Sequence, residues 1–229
     1  MEEAVPETTE NTAKTRLYDA FAASGKALAS GKRLELLDLL AQGERTVDAL
    51  AKAAGLNLTT VSAHLQTLKQ AGFVATRREG VRIHYRLAGD DVAQLFALLR
   101  KVAEAHQAAV PPARDAYLGE GTAAGLSREE LRVRIAAGDV VVLDVRPAEE
   151  YRAGHIPGAL SIPVDELADR IEELPDDLEI VVYCRGAYCV LAHDAVRLLT
   201  DRGRRAIRLS DGMLEWRLSE LPVDAPDPM

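Results

Sequence analysis

The chain has 229 residues, of which 48% are hydrophobic, so it is long enough to bury one large core or two smaller ones. It has no run of about 18 apolar residues, which argues against a membrane span, and its acidic start is unlike a secretory signal, so we expect a cytoplasmic protein. The net charge of −8 argues against general nucleic-acid affinity, but residues 1–112 hold 14 Lys+Arg and 13 Asp+Glu, against 14 and 23 in the rest.

The first part of the chain has the periodicity of short amphipathic helices. After a lead over residues 1–14 that we expect to be disordered, helices are predicted at 15–29, 32–41, 47–54 and 59–70. Thr46 is a typical N-cap for the third helix, and Gly55 is a typical end. Because the third and fourth helices are joined by a short turn containing glycine, they predict a helix-turn-helix.

The fourth helix has a polar face suited to DNA. Its buried stripe is formed by Val61, Leu65 and Leu68. The remaining faces carry six polar residues, suited to base edges and phosphates in a major groove: Thr59, Thr60, Ser62, His64, Gln66 and Lys69.

A basic hairpin follows the helix-turn-helix. Residues 73–87 alternate on both sides of Glu79-Gly80, which predicts two antiparallel strands. The tip bears Arg77, Arg78 and Arg82. Such a hairpin acts as a wing that reaches the DNA backbone or a minor groove, and a last helix over 91–107 closes the unit.

Four segments and the wing carry a family resemblance: Leu34-Glu-Leu-Leu-Asp-Leu-Leu40, Thr46-Val-Asp-Ala-Leu-Ala-Lys-Ala-Ala-Gly55, Thr60-Val-Ser-Ala-His-Leu-Gln-Thr-Leu68 and Ala71-Gly-Phe-Val74. Residues 15–107 resemble the winged-helix regulators of the ArsR/SmtB type. The resemblance implies a homodimer, held by the first and last helices, on a pseudo-palindromic double-stranded operator. No cysteine occurs in residues 1–112, and Asp91, Glu104 and His106 do not form a convincing ligand set, so we expect no metal and no cofactor.

A second domain is predicted behind a linker. The winged helix-turn-helix domain covers 15–109, the linker with its two prolines 110–117, and the second domain 118–225. In that domain, apolar strands such as 140–145 alternate with helices. The fold class is therefore a mainly α winged helix-turn-helix followed by an α/β domain with a mostly parallel sheet, whose ligands bind at strand C-termini.

Both cysteines of the chain, Cys184 and Cys189, lie in one loop between a strand and a helix that begins at Val190. A thiolate at a helix N-terminus is stabilised by unpaired N–H groups and the helix dipole, so its pKa falls and it becomes a nucleophile. A structural disulfide across so short a loop would add little stability. We therefore interpret Cys184 as the attacking sulfur and Cys189 as the resolving one, with a disulfide and a longer sulfur bridge both open as products.

The motifs around this loop are Leu143-Asp-Val-Arg146, Glu150-Tyr151, Gly154-His-Ile-Pro-Gly-Ala159, Ile162-Pro163, Tyr183-Cys184, Gly212 and Trp216-Arg217. Residues 118–222 resemble a rhodanese domain. The resemblance implies a Cys184 persulfide cradled by the loop residues Arg185, Gly186, Ala187 and Tyr188. It also implies structural roles for Asp144, Arg146, Glu150 and His155. Phosphatases and arsenate reductases that resemble this fold have the motif C-x5-R. Here Val190 occupies the position of that arginine, which disfavours phosphate and arsenate chemistry.

Together these features predict a DNA-binding transcriptional repressor that senses a sulfane-sulfur donor through Cys184 and Cys189. Two alternatives stay open. One is a sulfurtransferase acting through Cys184, with thiosulfate disfavoured because Arg185 is the only loop cation, and with a winged helix that localises or regulates it. The other is a general thiol-redox sensor that uses the same cysteines to detect peroxide.

Overall fold

The computed structural model describes residues 9–119 and 125–225, with side chains from residue 12 onward. These residues form two compact units, the first holding residues 9–40 and 45–89 and the second residues 41–44, 90–119 and 125–225. The first eight residues of the predicted disordered lead lie outside the described part. The remainder of that lead is helical from Thr9, because residues 9–14 contain no glycine or proline that would stop a helix.

The first unit is a winged helix-turn-helix, as predicted. Its strands form an antiparallel sheet in the order β1-β3-β2. The elements are α1 (Thr9–Leu28), α2 (Gly31–Ala41), β1 (Arg45–Thr46), α3 (Val47–Ala54), α4 (Leu58–Gln70), β2 (Val74–Glu79) and β3 (Arg82–Leu87).

Local side-chain chemistry sets the ends of the two central helices. The Thr46 hydroxyl accepts a hydrogen bond from the backbone N–H of Ala49 at 3.3 Å, which caps α3. Gly55 ends that helix in the left-handed conformation, with φ of 61°. Asn57 caps α4 by accepting from the N–H of Thr60 at 2.8 Å, so α4 begins one residue earlier than the pattern predicts.

The second unit is built on a four-stranded parallel sheet in the order β5-β4-β6-β7, which confirms the predicted α/β class. None of the described helices is long and apolar enough to cross a membrane. The elements are α5 (Asp90–His106), α6 (Val110–Leu118), α7 (Arg128–Ala137), β4 (Val140–Asp144), α8 (Ala148–Arg152), β5 (Leu160–Ser161), α9 (Leu167–Arg170), β6 (Glu179–Tyr183), α10 (Val190–Asp201), β7 (Ala206–Arg208) and α11 (Met213–Leu218).

The sheet of the second unit is covered on both faces. Successive side chains of β6 point to opposite sides, so Val182 packs in one apolar cluster with Leu199, whereas Val181 packs in another with Trp216. This double burial explains why the strands are continuously apolar rather than alternating. Strand β6 therefore delivers its C-terminal residue, and the cysteine that follows, from the middle of a rigid core.

The predicted linker segment, residues 110–117, is helical. Val110–Leu118 is helix α6, with its two prolines at the first helical positions. Proline is compatible with a helix there, because the N–H groups it lacks have no partner within the first turn. The boundary at residue 109 also differs from the division in the structure, where α5 belongs with the second unit, because its side chains pair with residues of that unit.

Candidate functional site

The two cysteines occupy the loop between β6 and α10. Cys184 directly follows β6 and is buried, whereas Cys189 is partly exposed and is the N-cap residue of α10. Their sulfur atoms are bonded, and their Cα atoms are 6.1 Å apart, within the range of about 7 Å that a disulfide allows. The loop geometry therefore allows a direct disulfide between the two cysteines.

The loop backbone is held against the start of α11. The carbonyl of Cys184 accepts from the N–H of Met213 at 2.9 Å, and that of Arg185 accepts from Leu214 at 3.0 Å. A Cβ atom added at Gly212 would lie 2.3 Å from the nitrogen of Gly186, closer than any real Cβ contact. The glycine in the rhodanese-like motif is therefore required by the approach of two backbone segments.

Arg185 is engaged by Glu150. Two guanidinium nitrogens contact both carboxylate oxygens of Glu150 at 2.7–3.0 Å, and Glu150 is buried on α8. Arg185 was predicted to be part of the sulfur-cradling loop as its only cation. The ion pair with Glu150 holds the loop to α8. Ala187, in the same loop, is partly exposed.

A buried polar network lies under the strand ends. Arg146 donates to Asp144 at 2.5 and 3.0 Å, and both side chains are 0% exposed. The hydroxyl of Tyr183 donates to Asp144 at 2.6 Å, and burial raises the pKa of Tyr183 well above 10.0. These contacts agree with the structural roles predicted for Asp144 and Arg146, since the network ties β4 to β6 beside the cysteine loop.

Gln42 belongs to this network, although nothing in the sequence pattern indicates it. Its side-chain oxygen accepts from Arg146 at 3.2 Å, and its side-chain nitrogen donates to the carbonyl of Arg185 at 3.4 Å. Arg217 donates to the carbonyl of Ala41 at 3.0 Å from the other side. The turn after α2 is thus joined to the residues that support the cysteine loop.

The loop also contacts helix α5. The hydroxyl of Tyr188 donates to Glu104, and burial followed by this hydrogen bond raises the pKa of Tyr188 to about 12. The guanidinium of Arg100 lies 4.6 Å from the centre of the Tyr188 ring and pairs with Glu215 of α11 at 3.0 Å. The sequence presents Glu104 only as a poor metal ligand. The sequence signal for this contact surface is the four-residue spacing of Arg100 and Glu104, which puts both side chains on one face of α5.

A further buried group lies on α10. His193 is only 7% exposed, and its Nε2 has no hydrogen-bond partner among the described residues. Burial first, and then the charges of Arg208 and Arg197, lower the pKa of His193 to about 4. The imidazole is therefore neutral at pH 7 and contributes apolar packing rather than charge.

The predicted DNA-binding residues of α4 lie on its accessible faces. Val61, Leu65 and Leu68 are fully buried, as the stripe predicts. Gln66 donates to the Tyr85 hydroxyl at 3.3 Å and Lys69 to the Thr76 hydroxyl at 3.1 Å, so these two also brace the hairpin. All six predicted DNA-binding side chains of α4 are exposed or partly exposed: Thr59, Thr60, Ser62, His64, Gln66 and Lys69.

The wing is the predicted hairpin with a basic tip. Glu79 pairs with Arg82 across the turn, where Gly80 has φ of 58°. Arg77 forms an ion pair with Glu79 at 2.9 Å, and Arg78 donates to the carbonyl of Gly80 at 3.0 Å. All three wing arginines are exposed, so their guanidinium groups are accessible to a polyanion.

Comparison with known proteins gives matches to two families and a relative that aligns with nearly the whole chain. Residues 127–219 match the rhodanese-like domain, and residues 30–76 match the bacterial regulatory proteins of the arsR family. The HTH-type transcriptional regulator Rv0324 of Mycobacterium tuberculosis (strain ATCC 25618 / H37Rv) is 59% identical over 216 residues, which is 94% of this chain and 95% of that protein.

Two further relatives each match less than half of the chain. A protein named sulfurtransferase from Allochromatium vinosum is 33% identical over 104 residues, covering 44% of this chain and 95% of that protein. The solution structure of the homodimeric winged helix-turn-helix DNA-binding domain Mb0332 from Mycobacterium bovis is 54% identical, covers 47% of this chain and 94% of that one, and has a TM-score of 0.39. With the full-length relative and both family matches in agreement, the chain belongs to the ArsR family of bacterial transcriptional regulators and carries a C-terminal rhodanese-like domain.

Proposed function

We propose that this regulator is a homodimeric repressor that leaves its operator when a sulfane-sulfur donor reacts with Cys184. The observation that carries the proposal is the bonded pair Cys184–Cys189, which joins the end of β6 to the N-terminus of α10. A buried cysteine alone would be compatible with packing. Two cysteines that reach each other in one loop instead support reversible thiol chemistry.

The chemistry balances with hydrogen disulfide ion as the donor. The Cys184 thiolate attacks the sulfane sulfur, the S–S bond of the donor breaks, and HS⁻ leaves with the electron pair, so Cys184 becomes a persulfide. The Cys189 thiolate then attacks the inner sulfur, and the outer sulfur leaves as a second HS⁻ after taking up one proton. The two thiolates lose two electrons in total, and the sulfane sulfur gains them.

Operator binding is assigned to α4 and the wing. The polar face of α4 suits base edges, and the exposed wing arginines Arg77, Arg78 and Arg82 suit phosphates. The exposed apolar residues of α1 and α5 support a homodimer through those helices, and they include Leu17, Phe21, Leu95, Leu98 and Val102.

The test measures, in parallel, the sulfur bound to the protein and the affinity of the protein for operator DNA. The reduced full-length chain is treated with polysulfide, then analysed by intact mass and by operator titration. We expect the wild type to lose two hydrogens, or to gain bridging sulfur, and to release DNA. Cys184→Ser should do neither, whereas Cys189→Ser should gain a single sulfur atom without the lasting release. Equal release by wild type and Cys184→Ser would contradict the proposal.

A sulfurtransferase is the second candidate, supported by the likeness to the Allochromatium vinosum protein, which covers 44% of this chain. It predicts a different result in the same assay. Cys189→Ser would keep or increase sulfur transfer to cyanide, and the operator affinity would be the same in both cysteine variants as in the wild type. A peroxide sensor is distinguished by mass, because peroxide adds oxygen to Cys184 of the Cys189→Ser variant, whereas the sulfur donor adds sulfur.

A further inference from the structure

Two side chains on one face of α5 contact the cysteine loop and its support. Glu104 accepts the hydrogen bond of the Tyr188 hydroxyl, and Arg100 stacks on the Tyr188 ring at 4.6 Å. Arg100 also pairs with Glu215 at 3.0 Å. Since Arg100 and Glu104 are four residues apart, both contacts are made by the same helix face.

The Arg100–Glu215 ion pair is connected to Cys184, the attacking cysteine, through backbone contacts. The carboxylate of Glu215 accepts from the N–H of Gly212 at 3.1 Å. Gly212 lies directly against Gly186, and the adjacent Met213 donates to the carbonyl of Cys184. A change in the path of the loop therefore reaches Arg100 by two routes, through the Tyr188 ring and through the start of α11.

The opposite face of α5 carries exposed apolar side chains. Leu95, Leu98 and Val102 are 42%, 57% and 48% exposed. At 3.6 residues per turn, these three positions lie roughly half a turn from Arg100 and Glu104. Helix α5 thus has a loop-contacting face and an apolar face, and the apolar one is the face expected to bind the second protomer.

We propose that α5 transmits the sulfur state of the loop to the dimer, and that the Tyr188–Glu104 hydrogen bond is the contact that distinguishes the bridged state. This inference rests on the proposed function and specifies its regulation. The Cys184–Cys189 bond restrains Tyr188, which lies within the ring it closes, and keeps its hydroxyl on Glu104. Opening the bond removes that restraint, because the loop regains conformational freedom.

The surroundings of Tyr188 give the ring room to leave. A cavity of about 380 Å³ lies beside it, lined by residues of α5 and α6 that include Ala103, Val110 and Tyr117. Glu104 also keeps a second partner in Arg114, at 2.6 Å, so its carboxylate is not left uncompensated when Tyr188 departs. Both features let the contact be exchanged without unfolding the helix.

The experiment measures operator dissociation constants of the full-length chain in the reduced and polysulfide-treated states. Tyr188→Phe keeps the ring and removes the hydroxyl. We expect it to form the same Cys184–Cys189 bridge, by intact mass, while the ratio of the two dissociation constants falls roughly tenfold, as expected for one hydrogen bond to a charged group. The matched control is Tyr117→Phe, which changes the same atom on another wall of the cavity and should keep the wild-type ratio.

Glu104→Ala, which removes the acceptor oxygens, tests the other partner. It should reduce the ratio as Tyr188→Phe does, and the double variant should be no worse than either single one, because both remove the same hydrogen bond. Affinity changes of equal size in both states would overturn the inference, since the contact would then be simple packing. If the wild type bridges without releasing DNA, the proposed function fails and the inference with it. If the wild type and Tyr188→Phe both release DNA fully, only the route through Tyr188 is wrong.

Discussion

The buried Asp144–Arg146 pair permits a quantitative prediction about the stability of the rhodanese-like unit. Both side chains are 0% exposed, and Asp144 accepts from Arg146 and from the Tyr183 hydroxyl. Asp144→Asn preserves the shape of the side chain and removes its charge. Arg146 stays protonated because it has no accessible neutral form, so the variant contains a buried cation without its counter-ion.

The size of the effect follows from that uncompensated charge. Removing one partner of a buried ion pair costs about 3–5 kcal/mol. A domain of this size has a urea dependence of about 2 kcal/mol per molar, so the unfolding midpoint should fall by about 2 M. Replacing both partners, as in Asp144→Asn with Arg146→Met, removes the unpaired charge and should recover most of the loss.

Trp216 provides the assay. It is the only tryptophan in the chain and is buried beside β6, so urea titration by fluorescence reports on the second unit. Arg170→Gln is the control, because Arg170 forms its ion pairs on the surface, and it should leave the midpoint nearly unchanged. A midpoint shift below about 0.5 M for Asp144→Asn would refute the reasoning, because the network would then tolerate an unpaired guanidinium.

Three further predictions concern the wing, the buried histidine and the glycine contact. Removing one phosphate-contacting arginine of the wing should lower the log–log salt slope of operator binding by about 1, and unchanged affinity after all three alanine substitutions, at Arg77, Arg78 and Arg82, would reject the wing assignment. Because the pKa of His193 is lowered to about 4, the folded state binds its proton less readily than the unfolded state, so stability should fall by at most about 3 kcal/mol as pH drops from about 6.5 to about 4. His193→Gln should flatten that part of the pH profile in urea titrations, and an unaltered profile would contradict the pKa assignment. Gly212→Ala forces Gly186 away and should slow the polysulfide reaction of Cys184, measured by mass against time, while a wild-type rate would mean that the loop tolerates the added methyl group.

The sequence by itself determines the elements whose causes are local. Helix periodicity, the Thr46 cap and the Glu79-Gly80 turn predict the winged helix-turn-helix, since each depends on residues within a few positions. The continuous apolar run of β6 likewise predicts a strand covered on both faces, and the loop behind it follows from where that run ends. Both cysteines could therefore be assigned to one loop between a strand and a helix before their geometry was known.

Only the tertiary structure decides what surrounds that loop. Gln42 reaches Arg146 across 104 positions, and Tyr188 reaches Glu104 across 84, so no local pattern relates them. The pairing of Arg185 with Glu150 likewise joins residues 35 positions apart, and it adds a structural contact to the loop that no local pattern indicates. Such contacts join segments that are distant along the chain, and for that physical reason the partners of the cysteine loop appear in the fold and not in the sequence pattern.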